Sequence, residues 1–169
     1  MARRFDISDK LIHFTGAGEC VDDAFARWSA ILRNGKLLAS GRMIRGSYRC
    51  VCFTEAPLAA FTPAFVAQFP FARYSQFGLM FEKNWIFERG GRPVIYQPDS
   101  DFDLLPEDLR WRHVRFEPTG ERIIDWTWER EWRVPGEWPS SLPMRSSSFQ
   151  TNDGRTSCVE FTTPIRTWL

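Results

Sequence analysis

The segment Trp126-Thr127-Trp128-Glu129-Arg130-Glu131-Trp132-Arg133-Val134 constrains the fold more than any other stretch of this chain. Read as a strand, its period of two puts Glu129 and Glu131 on one face and Trp128, Arg130 and Trp132 on the other. Two carboxylates on one surface repel each other unless positive charge meets them. Two readings follow. A site uses the pair to stabilise positive charge that develops in a reaction, or the acids pair with Arg122, Arg130 or Arg133 as an ion network on a surface strand. Trp126, Trp128 and Trp132 are expected in the core, and Trp138, just after a turn, is a candidate for stacking on a base.

A length of 169 residues fits one domain whose core needs no disulfide or metal staple. No apolar run is long enough to span a bilayer, and the opening Met-Ala-Arg-Arg-Phe-Asp lacks the apolar stretch of a signal peptide, so the expected location is the cytoplasm with no membrane contact. Cys20, Cys50, Cys52 and Cys158 form no Cys-x-x-Cys pair, which predicts free thiols and no zinc. A net charge of +1 supplies no overall field for nucleic acid. The only lysines are Lys10, Lys36 and Lys83, so nearly all the basic charge is arginine, whose planar fork suits phosphates and carboxylates; GC-rich coding would account for the bias equally well.

Along the chain, residues 11–15 read as a strand closed by Gly16-Ala17-Gly18. A helix is predicted over 22–34, capped by Asp22 or Asp23, with Phe25, Trp28, Ile31 and Leu32 on one face and Asn34-Gly35 as its left-handed exit. Strands are predicted at 37–39, 48–53, 77–82, 93–97 and 157–162. Pro57 opens a second helical stretch with Leu58, Phe61, Phe65 and Phe69 on its stripe, and a short helix is expected over 106–113 after an acidic loop at 98–108. The Ser-rich stretch of about 136–154 reads as a mobile loop. The expected class is α+β, with a few helices flanking a mostly antiparallel or mixed sheet in one domain. No Gly-x-Gly-x-x-Gly or Walker motif occurs, no nucleophile-elbow triad is present, and no His-carboxylate spacing suggests a metal.

His13 lies in an apolar strand, and if Ile12 and Phe14 face the core it points away from it, on the side of Leu11 and Thr15. His113 sits in an Arg-rich stretch without an evident partner. Thr54 falls where a strand gives way to the turn before Pro57, and it serves as a cap or meets a ligand. Glu55 favours a helix start. Lys36, Arg45 and Arg49 are candidates for the phosphates of a dinucleotide.

Taken in order, Leu11-Ile12-His13-Phe14-Thr15, the run from Ile31 to Leu37, Val51-Cys52-Phe53-Thr54-Glu55-Ala56-Pro57-Leu58, the run from Phe77 to Trp85, Gly91-Arg92-Pro93-Val94-Ile95-Tyr96 and Glu129-Arg130-Glu131-Trp132-Arg133 resemble the prokaryotic abortive-infection family AbiGi. That family is similar, more distantly, to the ADP-ribosyltransferase fold of the DarT toxins. The resemblance implies an ADP-ribosyltransferase-like domain with NAD as co-substrate. His13 would hold a ribose or the amide of NAD, with Thr15 beside it. Phe53 or Thr54 would line the nicotinamide end and Arg49 would meet phosphate. Glu131 would be the catalytic carboxylate and Glu129 would orient or deprotonate the acceptor, or the two acids exchange roles. Phe53 stands where many members of the wider fold have Tyr or Ser. The implied setting is a toxin-antitoxin or phage-defence system acting on a nucleic acid or protein acceptor, with an antitoxin or toxin as partner. The alternatives are an antitoxin-like module that binds a partner or nucleotide without turnover and, further off, an RNA 2′-phosphotransferase using Arg45 and Arg49.

Overall fold

The computed structural model describes residues 7–16, 21–57, 74–136, 138, 146–148, 159–161 and 165–168. Its centre is a six-stranded antiparallel sheet built from β1 (Lys10–Gly16), β2 (Cys50–Thr54), β3 (Tyr74–Glu82), β4 (Arg92–Pro93), β7 (Glu131–Pro135) and β10 (Ile165–Trp168). The spatial order is β10-β3-β1-β2-β7-β4. Two smaller pairings complete the strands: a parallel one between β5 (Ile95–Gln97) and β6 (His113–Arg115), and an antiparallel one between β8 (Ser146–Ser148) and β9 (Val159–Phe161). The architecture is α+β with few helices, as the alternation of short strand signals predicts.

Register decides which side chains share a face. Leu11 opposes Phe81 and His13 opposes Leu79, while Val51 opposes Val134 and Phe53 opposes Trp132. Apart from His13 these are core residues, and together with Phe77, Ile86 and Trp138 they form one apolar layer on one side of the sheet. On the opposite face Ile12 pairs with Thr54, Cys52 with Arg133 and Thr54 with Glu131. One face is therefore oily and the other carries the polar chemistry.

Helix α1 (Val21–Asn34) covers the oily side with Ala24 and Trp28 buried and Ile31 and Leu32 packed against them. Asp22 and Asp23 in its first turn and Arg33 in its last complement the helix dipole. Gly35, at φ 60°, ends it through an N–H bond to the Ile31 carbonyl of 2.9 Å. The indole of Trp28 donates to the Gly78 carbonyl at 3.3 Å and ties helix to sheet. Phe25 is at the edge of the stripe, 45 % exposed, against Phe77.

A short helix α2 (Lys83–Glu88), not expected from the sequence, follows β3 directly. Its exit is tight: a Cβ on Gly91 would stand 2.4 Å from the Ile86 Cγ2 and 2.8 Å from the Ile86 carbonyl oxygen. Gly91→Ala is expected to lower stability by about 1–3 kcal/mol, read from urea unfolding, because buried Ile86 and the helix backbone must both move.

Several expectations are corrected. Trp126–Val134 is not one strand, because Thr127–Glu129 form a 3-10 turn and Arg130 adopts the left-handed conformation at φ 44° before β7 begins. Trp132 is core, but Trp126 is partly exposed and Trp128 is 43 % exposed. Trp138 is not a base-stacking platform, since it is 1 % exposed and stacks on Trp85 at 5.1 Å. Residues 37–39 form no strand; the adjoining Ser40 makes an isolated bridge to Cys50, and Leu37 and Ala39 join the apolar cluster. The 93–97 strand breaks at Val94, whose N–H turns to the Glu131 carbonyl. The acidic 98–108 stretch winds into a 3-10 turn at Asp99–Leu104, and the short helix beyond it is also 3-10, Glu107–Arg112. Within the expected loop of 136–154, Ser146–Ser148 pair as β8. The helix from Leu58 to Phe69, and Cys20 and Cys158, lie outside the described residues. No described helix is long and apolar enough to cross a membrane.

Candidate functional site

The polar face of the sheet is the floor of a cavity of about 1080 Å³. Ile12, Phe14, Cys52, Thr54, Glu131 and Arg133 come from β1, β2 and β7 in alternation. The walls are the 40–45 loop, the β6 segment from His113 to Arg115, the 122–126 segment with Trp126, and Tyr74 at the start of β3. Glu129 enters from the 3-10 turn that precedes β7.

Glu129 and Glu131 therefore do meet at one site, although strand alternation is not what brings them there. The left-handed Arg130 redirects the chain between them, a costly conformation for a residue with a Cβ. The Thr54 hydroxyl donates to the Glu129 carbonyl and accepts the Ala56 N–H at 3.0 Å, so it fastens the turn to the end of β2. The Tyr74 hydroxyl donates to Glu129 Oε1 at 2.7 Å. Glu129 is 6 % exposed.

Glu131 is held by Arg133. The guanidinium donates from Nε to Oε1 at 2.8 Å and from Nη2 to Oε2 at 3.3 Å. Its Nη1 donates to the Trp111 and His113 carbonyls, both at 2.9 Å. Burial by itself would favour a neutral guanidine, yet the carboxylate opposite more than offsets it and the proton is held more firmly than usual. The ion-pair reading of this segment is thus correct for Glu131 and Arg133, in a buried setting rather than on an exposed strand. Tyr96 completes the frame, its hydroxyl accepting the Glu131 N–H at 3.1 Å and donating to the Trp126 carbonyl at 3.2 Å. Burial above all pushes that phenol up to about 12.

The other expected residues divide. Thr54 lines the cavity. His13 borders it, but its ring lies on the Leu79 side of β1, edge-on to Phe53 at 5.8 Å, with Nδ1–H donating to the Cys52 carbonyl at 2.8 Å. Ile12 and Phe14, expected in the core, are the ones that face the cavity. Thr15 is buried on the core side against Ser75 and the Phe77 carbonyl. Phe53 also borders the cavity, although its ring packs on Phe81 and Trp138. Arg49 lies outside the cavity lining and donates to the Ala39 carbonyl at 2.6 Å. Arg45 lines the cavity in an ion pair of 2.8 Å with Asp99, and Lys36 is not in the lining. Glu55 does not act at a described helix start; it pairs with Lys83 at 2.6 Å and accepts the Trp132 indole N–H at 2.8 Å. His113 is buried against Phe102, with Nε2 3.2 Å from the Pro98 carbonyl.

Cys50 and Cys52 carry protonated thiols. Burial pushes Cys50 up to about 11, and burial followed by the charge of Glu131 pushes Cys52 well above the usual thiol range. Neither is poised as a nucleophile. Among the described residues no three His, Cys, Asp or Glu side chains gather for a metal ion. Tyr74 and Tyr96 are not evident as site residues in the sequence, because only the fold brings them beside the acids.

Burial lowers the imidazole of His13 below 6.5, a shift that its bond to Cys52 only partly offsets. The unfolded chain then binds more protons than the folded one as pH falls through 6.5, so stability rises with pH. This contribution is present above that pH and is lost toward the lower folded value. Urea midpoints measured down the acid limb should fall, and His13→Gln, which keeps a donor for Cys52, should flatten that part of the fall.

Compared with models of protein families, with curated proteins and with solved structures, the chain gives no match in any of the three.

Proposed function

We propose that this cavity binds NAD and transfers its ADP-ribosyl group to an acceptor. The chain would then be an ADP-ribosyltransferase-like effector of the AbiGi type, working in the cytoplasm within a toxin-antitoxin or phage-defence system. The observation that carries the reading is the convergence of Glu129 and Glu131 on one large concave face rimmed by arginine. Cleaving the bond between nicotinamide and ribose develops oxocarbenium character, which a fixed carboxylate stabilises.

Glu131 suits that task because Arg133 engages both of its oxygens and so sets its orientation before any ligand arrives. Glu129, held by Tyr74 in the neighbouring turn, is the residue for the acceptor. Thr54 and Phe14 lie on the same floor, and Trp126 offers an aromatic wall. Thr15 and Arg49 take no contact with NAD in this reading, since they lie outside the cavity lining, whereas His13 and Phe53 border it with their rings packed toward the core.

Incubating the protein with NAD labelled on adenine, in cell lysate, should place label on macromolecules. Digestion with nuclease or protease then shows whether nucleic acid or protein carries it. Absence of both transfer and NAD hydrolysis would leave the non-catalytic, antitoxin-like module as the better reading. The RNA 2′-phosphotransferase reading loses ground, because of its two arginines Arg45 is paired with Asp99 and Arg49 is outside the cavity.

A further inference from the structure

One phenol fastens both ends of the turn that carries the two acids. The stretch from Trp126 to Glu131 closes through the Glu129 N–H to the Trp126 carbonyl at 3.0 Å and the Arg130 N–H to the Thr127 carbonyl at 3.1 Å. It then passes through left-handed Arg130, a conformation that a Cβ makes costly and that persists only where the surroundings hold it. The Tyr96 hydroxyl donates to the carbonyl that opens this stretch, at 3.2 Å, and accepts the N–H that ends it, at 3.1 Å.

Tyr96 belongs to β5, which pairs with β6 in a two-stranded sheet apart from the central one, with Ile95 opposite His113 and Tyr96 opposite Val114. The same small sheet reaches the rest of Glu131. Val94, just before β5, donates its N–H to the Glu131 carbonyl at 3.0 Å, and the His113 carbonyl of β6 accepts from Nη1 of Arg133, the partner of the Glu131 carboxylate, at 2.9 Å. Tyr96 lies outside the cavity lining, so it acts on a ligand only through the turn. On the NAD reading above, we propose that the β5–β6 sheet is the brace of the catalytic turn and that Tyr96 is its positioning residue, setting where Glu131 stands against the ribose. A small misplacement of a reacting group costs rate, while the cavity that binds NAD keeps its shape, so the effect falls on kcat and spares KM.

Tyr96→Phe tests this in the full chain, with Tyr48→Phe as control, because Tyr48 also donates to a backbone carbonyl, that of Glu107 at 3.2 Å, but stands outside the cavity lining. Two measurements are made: steady-state NAD hydrolysis, and amide hydrogen exchange at Glu131 and at Cys50, whose N–H bonds to the Ser40 carbonyl at the other end of β2. Tyr96→Phe should lower kcat about 10–100-fold with KM for NAD within about twofold. The Glu131 amide should exchange at least about tenfold faster while the Cys50 amide is unchanged, and Tyr48→Phe should change neither kcat nor the Glu131 amide. Unchanged kcat, or a rise in KM in its place, overturns the positioning role and leaves the NAD reading intact. A fall in kcat without faster exchange at Glu131, or an equal fall in Tyr48→Phe, overturns it as well, since the loss then does not pass through the turn. No turnover of NAD by the wild type removes the NAD reading instead. The exchange then decides alone: acceleration at Glu131 but not at Cys50 upholds the brace, and equal rates overturn it.

Discussion

Glu131→Gln is expected to lower ADP-ribosyl transfer, or NAD hydrolysis where no acceptor is supplied, on the order of 10²–10³-fold. The substitution keeps the size of the side chain and one acceptor for Arg133 Nε, but it removes the negative charge that would face the developing cation. Single-turnover rates with saturating NAD isolate this loss from any change in binding. Glu129→Gln separates the roles: it should reduce transfer to acceptor far more than NAD hydrolysis, because its place is with the acceptor. Full transfer by Glu131→Gln would remove the mechanism.

The largest effect on stability is expected from Arg133→Met, about 3–5 kcal/mol. Arg133 side-chain exposure is 4 % and that of Glu131 is 13 %, so removing the cation leaves a poorly solvated carboxylate and also strips the Trp111 and His113 carbonyls of their donor. Adding Glu131→Gln to Arg133→Met should return a large part of that loss, since neither charge is then stranded. Urea unfolding of the four members of this cycle measures it. Activity tells the rest, because the restabilised double variant should remain as slow as Glu131→Gln alone. Recovery of transfer along with stability would mean that Glu131 serves the fold only.

Elements that depend on local pattern were legible in the sequence: helix α1 with its acidic start and Gly35 exit, and β2, where Val51 and Phe53 turn inward and Cys50 and Cys52 outward. Helix α2 was hidden because Lys83–Glu88 has six residues, too few to show a period. The inward residues of β1 were misassigned because Leu11, Ile12 and Phe14 are all apolar, and pattern cannot say which side of the sheet α1 will cover. The shared site of the two acids has a different cause from the one the pattern suggests. Alternation alone predicted their shared surface, whereas a 3-10 turn and a left-handed Arg130 deliver it. The sequence offers Arg133 only as one ion-pair candidate, since its bonds to Trp111 and His113 span some twenty residues of chain.

The antiparallel match of β2 with β7 limits how this protein can diverge. Deleting or inserting one residue within Glu131–Pro135 would exchange the two sides of the strand, sending Trp132 and Val134 into water and Glu131 and Arg133 into the oily layer. Chemistry here is thus open to substitution and closed to changes of length. Changes of length are expected to be accommodated instead in the largely exposed segments at 41–46 and 117–124, which contribute to the cavity wall, and natural variation in what the cavity accepts should be sought there.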